Sequence, residues 1–130
     1  MEAIKSYTDI EQSKVLAKIL PLESADMYYT PPLVKGHTVY IPHLKRRFPI
    51  DWDIEKAIPC WSLAALRNLL PPAIKPNKDS YLFESHNTFD NSWVYRYYNE
   101  DGASYLYCKN TNEVDACVAM IIKLHEQKLL

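Results

Sequence analysis

The sequence predicts an α+β fold: an antiparallel sheet of three to four strands packed against two to three helices. Three observations carry that expectation. The C-terminal stretch repeats apolar residues at helical spacing; two aromatic-rich runs flank a short turn signal; prolines crowd the middle of the chain. The 130 residues suit one domain spanning 1–130, with enough chain to bury a core without disulfides.

The first helix is expected after Tyr7. Thr8 can cap and Glu11 stands three residues on, a capping-box pattern. Ile10, Val15, Leu16, Ile19 and Leu20 then supply the apolar stripe, and Pro21 stops the helix near Leu20. Residues 21–59 hold six prolines, which forbids a long regular element. Short extended pieces fit better, at Asp26 to Tyr29 and Thr38 to Ile41. A second helix runs from a Ser62 cap to Leu70, with Leu63, Leu66, Leu69 and Leu70 as its buried side and Pro71-Pro72 as its end.

After a linker to Asp79, strands are expected at Tyr81 to Glu84, 93–98 and 103–108. Asn99-Glu100-Asp101-Gly102 makes the last two a hairpin, hence antiparallel. The last helix opens at Asn112, with Asp115 at its third position. Val114, Cys117, Val118, Ile121, Ile122, Leu124 and Leu129 form its broad apolar side.

Composition narrows function mostly by exclusion. Fifteen Lys and Arg against 16 Asp and Glu leave a formal charge of −1, so no global basic excess marks a nucleic-acid binder. The three cysteines, Cys60, Cys108 and Cys117, form no CxxC pair, which points to a reducing, cytoplasmic setting. The opening residues lack an apolar signal core, and no apolar run reaches membrane-spanning length. Only Gly36 and Gly102 occur, and neither begins a phosphate-binding loop. The four histidines show no metal-ligand spacing, so neither a metal nor another cofactor is expected.

Three functional readings remain. Residues 92–110 hold six aromatics. Period two sets Trp93, Tyr95 and Tyr97 on one face of their strand, with Val94, Arg96 and Tyr98 on the other, and pairs Tyr105 with Tyr107 on the next. These rings pack either into a core or into a contact surface. Trp93, Tyr95, Tyr97, Arg96, Tyr105 and Tyr107 are therefore the candidate binding surface for another protein or a second copy of the chain, since Trp, Tyr and Arg favour interfaces. This non-enzymatic binding or accessory role ranks first.

The second reading is nucleic-acid binding through the basic loop His43, Lys45, Arg46 and Arg47; Asp51, Asp53 and Glu55 follow it closely and weaken its field. The third is a cysteine-dependent enzyme, with Cys60 ahead of a helix start and His43 or His86 as its base. Ser85, His86 and Asp90 are close in sequence, but a triad is defined by geometry.

The segments YTDIEQSKVLAKILPLESADM (7–27), IPCWSLAALRNLLP (58–71) and VDACVAMIIKLHEQKLL (114–130) resemble, in their order, small proteins of Bacteroides-type bacteria and their phages or mobile elements. That resemblance implies a phage or accessory-genome origin, where small adaptor proteins are common. It implies no activity and no site residues.

Overall fold

The computed structural model describes residues 5–30, 41–44 and 57–130. Helix α1 (Ile10–Ala17) opens the fold, and a 3-10 turn (Leu22–Ser24) leads from it into strand β1 (Met27–Thr30). Strands β2 (Ile41–Leu44) and β3 (Ile58–Cys60) pair antiparallel on either side of β1. Helix α2 (Leu63–Leu69) then leads to strands β4 (Ala73–Ile74), β5 (Tyr81–Asn87), β6 (Trp93–Tyr98) and β7 (Ser104–Asn110), and helix α3 (Glu113–Glu126) follows. The fold is α+β as expected, but the strands divide into two antiparallel sheets, ordered β2-β1-β3 and β4-β5-β6-β7.

Among the described residues the small sheet has three strands, and Pro42 and Pro59 lie in its two outer ones. A proline has no N–H for a ladder, so it suits an edge strand. Here one proline sits in each edge strand, opposite Tyr29 and Tyr28 of the central one. The expected strand at Thr38 to Ile41 lies mostly outside the described residues; the observed one begins at Ile41.

Helix α1 is capped by Asp9, not by Thr8. Asp9 accepts from the Gln12 N–H, and the Gln12 side chain accepts from the Asp9 N–H. Two overlapping capping boxes compete here, Thr8 with Glu11 and Asp9 with Gln12. Tertiary contacts decide between them: Thr8 is buried, its hydroxyl within 2.8 Å of Ser13 Oγ and accepting from Trp61 N at 3.2 Å. The helix also ends earlier than expected, at Ala17.

The second and third helices follow their local signals closely. Ser62 caps α2 through the Ala65 N–H, and Asn112 caps α3 through the Asp115 N–H. Ser62 is held in turn by Asp26, which accepts from both its N–H and its hydroxyl. Helix α3 lies on one face of the four-stranded sheet, over β6 and β7, and also packs on α2. Its buried side is Val114, Ala116, Cys117, Val118, Met120, Ile121 and Leu124. Each of the large aliphatic residues contributes on the order of 1.5–3 kcal/mol by leaving water. They meet Leu16 of α1, Leu66 of α2 and Tyr95 and Tyr97 of β6 in one core.

Polar ties close the assembly. Lys5 Nζ and Gln12 Nε2 each donate to Asp115 Oδ1 at 2.7 Å, joining the start of α1 to the start of α3. At the other end, Lys123 Nζ donates to the Tyr107 carbonyl at 2.8 Å, on the outermost strand of the sheet. Among the described residues no helix is long and apolar enough to cross a membrane.

Candidate functional site

Strands β5, β6 and β7 form an antiparallel meander whose two faces differ sharply. The turn between β6 and β7 follows the Asn-Glu-Asp-Gly signal. Asn99 Oδ1 accepts from the N–H groups of Asp101 and Ala103, and Gly102 takes a positive φ of 83° that suits glycine. A bulge follows: Tyr97 pairs with Leu106 but Tyr98 pairs with Ser104. Tyr105 is the extra residue, and its ring turns to the helix side, 5.1 Å from the Tyr81 ring.

On the face away from α3, the register builds three cross-strand rows. Leu82, Tyr98 and Ser104 form the first; Glu84, Arg96 and Tyr107 the second; His86, Val94 and Lys109 the third. Arg96 occupies the centre. Its guanidinium donates to Glu84 Oε2 at 2.8 Å from Nε and lies 2.7 Å from the same oxygen at Nη2. The carbon of that guanidinium stands 4.8 Å from the Tyr98 ring centroid, a cation–π distance. His86 Nδ1 sits 3.1 Å from Glu84 Oε1, and Lys109 Nζ donates to Asp90 Oδ2 at 3.1 Å. The Arg96 hydrogen bond holds the Glu84 carboxyl below the usual range, against a small cost of burial.

Val94 is 3% exposed, whereas Leu82 is 53% and Tyr107 47% exposed. Beside the first row lies a cavity of about 350 Å³ lined by Asp79, Ser80, Leu82, Tyr98, Asn99, Glu100 and Asp101. At the other end of the meander, Phe89 stands wholly in solvent on the β5–β6 turn.

The opposite face is interior. Tyr95 donates its hydroxyl to Glu113 Oε2 at 2.6 Å and accepts from Arg67 Nη1 at 2.7 Å; Tyr97 donates to the Pro71 carbonyl at 2.7 Å. The Phe83 ring lies 5.5 Å from Tyr95 and 5.4 Å from Tyr97. Burial, and then the bond to Glu113, push the Tyr95 phenol well above its ordinary value.

The six expected binding residues therefore split. Tyr95 and Tyr97 are fully buried, because α3 requires an apolar sheet face to cover; in the folded chain they form no contact surface. Trp93 is partly buried against the same core, and Tyr105 leans toward α3, where its hydroxyl donates to Gln127 Oε1 at 3.4 Å. Arg96 and Tyr107 are brought together as a cross-strand pair on the open face. Leu82, Glu84 and Tyr98 complete that face and were not among the expected residues. The signal was the period-two alternation itself, which sets Tyr98 with Arg96.

The cysteine and histidine candidates are kept apart. Cys60 is fully buried; its Sγ accepts from Thr8 Oγ1 at 3.6 Å, and burial raises its thiol above the ordinary value. In the small sheet Cys60 pairs with Met27, whereas His43 pairs with Tyr28, so alternation puts the two on opposite faces. The His43 ring stacks on Tyr28 at 5.3 Å, and its Nε2 lies 3.1 Å from Thr30 Oγ1. His86 belongs to the other sheet. Ser85 accepts from Arg67 on the helix side, while His86 faces the open side and Asp90 bonds Thr88 and Lys109, so the three do not form a triad. Lys45, Arg46 and Arg47 lie outside the described residues. Among the described residues, no group of three or more His, Cys, Asp or Glu side chains is placed to hold a metal ion.

No protein family, no curated protein and no solved structure matches the chain.

Proposed function

We propose that the chain is a non-enzymatic binding protein that engages another protein through the open face of the four-stranded sheet. The observation that supports this most is the Arg96-centred lattice, with Tyr98, Tyr107 and Leu82 around it and the described helices on the other side. Arg and Tyr carry a large share of the energy at protein interfaces, and charged pairs at the margin add specificity. Glu84 and the Tyr98 ring already hold Arg96 in place, so binding costs less side-chain entropy than it would for a free arginine.

The test is an affinity purification from the native host, split into nuclease-treated and untreated halves, with the wild-type chain beside an Arg96→Ala/Tyr107→Ala variant. The expected result is a stoichiometric protein partner that survives nuclease and is lost with the variant. Recovery of nucleic acid, with protein lost after nuclease, would instead favour the basic loop that includes His43, Lys45, Arg46 and Arg47.

A further inference from the structure

Among the described residues the two sheets end in four outer strands, and three of them are blunted. Strands β2 and β3 each carry a proline, and β4 is two residues long. Strand β7 runs for seven residues without a proline, and its one irregularity lies at its start, opposite Tyr97 and Tyr98. Among the described residues no further strand pairs with it.

The ladder fixes which backbone groups of β7 face outward. The Phe83 N–H donates to the Pro72 carbonyl on the β4 side, so Leu82 and Glu84, its neighbours, bond to β6. Arg96 stands opposite Glu84 and therefore directs its own N–H and C=O to β5, leaving none for Tyr107 across β7. Tyr107 thus turns its N–H and C=O away from the sheet, and two residues on Lys109 does the same. The Tyr107 carbonyl already accepts a bond from outside the ladder, from Lys123 Nζ at 2.8 Å.

Lys123 also sets the charge of this edge. It is exposed, and no carboxylate pairs with it among the described residues. Antiparallel pairing of two copies about residues 107–109 would bring two Lys123 ammoniums together on the helix side, a like-charge contact. A strand that bears a carboxylate there is matched instead.

We propose that β7 takes an extended, acidic segment of a protein partner as a further strand of the sheet, paired antiparallel with Tyr107 and Lys109. This rests on the protein-binding reading above and adds the conformation and charge of the partner. The residue opposite Tyr107 donates its N–H to the Tyr107 carbonyl in place of Lys123 and accepts from the Tyr107 N–H. Its side chain lies beside Tyr107 on the open face. The next residue, opposite Cys108, turns to the helix side, where its carboxylate meets the released ammonium.

The experiment titrates the isotopically labelled full chain with acetylated, amidated hexapeptides of alternating valine and threonine. One central threonine is replaced by glutamate, glutamine or lysine. The glutamate peptide is expected to bind saturably and to slow hydrogen exchange at the Tyr107 and Lys109 amides, while Leu106 and Cys108, already in the ladder, stay unchanged. The lysine peptide should bind about tenfold more weakly, since an ion pair gives way to a like-charge contact, and the glutamine peptide should fall between. On a Lys123→Glu variant the order of the glutamate and lysine peptides should invert; circular dichroism checks that it folds.

Equal binding of the glutamate and lysine peptides, an order that Lys123→Glu leaves unchanged, unslowed exchange at Tyr107 and Lys109 at saturation, or no saturable binding each overturns the proposal. In the host purification, a partner lost with Arg96→Ala/Tyr107→Ala but kept with Lys123→Glu overturns this inference and leaves the protein-binding reading intact. A partner kept by both variants overturns both.

Discussion

Strand β6 shows two faces built from nearly the same residue types. Toward α3 it presents Tyr95 and Tyr97; away from α3 it presents Arg96 and Tyr98, with a buried Val94. Ring content does not distinguish the two faces. What differs is where the polar ends go. The hydroxyls of Tyr95 and Tyr97 are taken by Glu113, Arg67 and the Pro71 carbonyl. Those of Tyr98 and Tyr107 have no such bond among the described residues, so they stay with solvent or with whatever the face binds. A buried tyrosine needs an internal partner for its hydroxyl; Arg67 of α2, Glu113 of α3 and the Pro71 carbonyl just after α2 supply them on the helix side of the sheet.

Truncating each face in turn would break that comparison or sharpen it. Tyr97→Ala should cost about 3–5 kcal/mol in urea denaturation, the usual range for emptying a large aromatic site. Tyr107→Ala should cost less than about 1 kcal/mol in the same assay, as exposed substitutions generally do. Comparable losses would show that both faces belong to the core.

A finer probe removes only an oxygen. Tyr95→Phe should cost about 1–2 kcal/mol, because a hydrogen bond to a charged group is lost inside the protein while the ring stays. Arg67 Nη1 remains 2.6 Å from Glu113 Oε2, so neither charge is stranded. A variant as stable as the wild type would mean that this network positions side chains without stabilising the fold.

The thiols extend the contrast to chemistry. Cys60, Cys108 and Cys117 are all buried, and burial pushes the Cys117 thiol up to about 12. A thiol-specific reagent should label none of them quickly at neutral pH and all of them in denaturant. Rapid native labelling at Cys60 would reopen the enzymatic reading.

The smallest expected effect concerns pH. Arg96 lowers the Glu84 carboxyl below its ordinary 4.5, so the folded chain binds that proton less tightly than the unfolded one. The pair's contribution is complete above about pH 4.5 and disappears as pH falls through the lower folded value. Both side chains are partly in water, so denaturation midpoints across this range should register less than about 1 kcal/mol from the pair. The loss should vanish in Arg96→Ala.

The parts of this fold that could be read from the sequence are those set by neighbours along the chain. Strand β6 falls on 93–98 as expected, because its β-branched and aromatic run ends at a turn that only Gly102 completes. Helix α3 follows from its cap and stripe. Other features depend on residues far apart. Whether Thr8 or Asp9 caps α1 is decided by Trp61, more than fifty positions away. The β2-β1-β3 sheet joins Met27–Thr30 to segments whose prolines weaken every local strand signal, and its pairing rests on distance contacts that no window shows.

The candidate site was legible in part. Alternation places Tyr98 with Arg96 and opposite Tyr95. Which face α3 would cover was not visible, because both faces offered rings. The bulge at Tyr105 breaks the expected pairing of Tyr105 with Tyr107, and nothing in 103–108 announces it.

The outermost strand carries one further consequence. Among the described residues β7 has a neighbour on one side only, and a bare strand edge is a template for aggregation. The ammonium of Lys123, resting on the Tyr107 carbonyl, puts a charge midway along that margin. Neutralising Lys123, by substitution or by acetylation, removes that guard without touching the core. A Lys123→Gln variant is therefore expected to scatter more light than the wild type at high concentration, through a charge that belongs to the helix and not to the strand it guards.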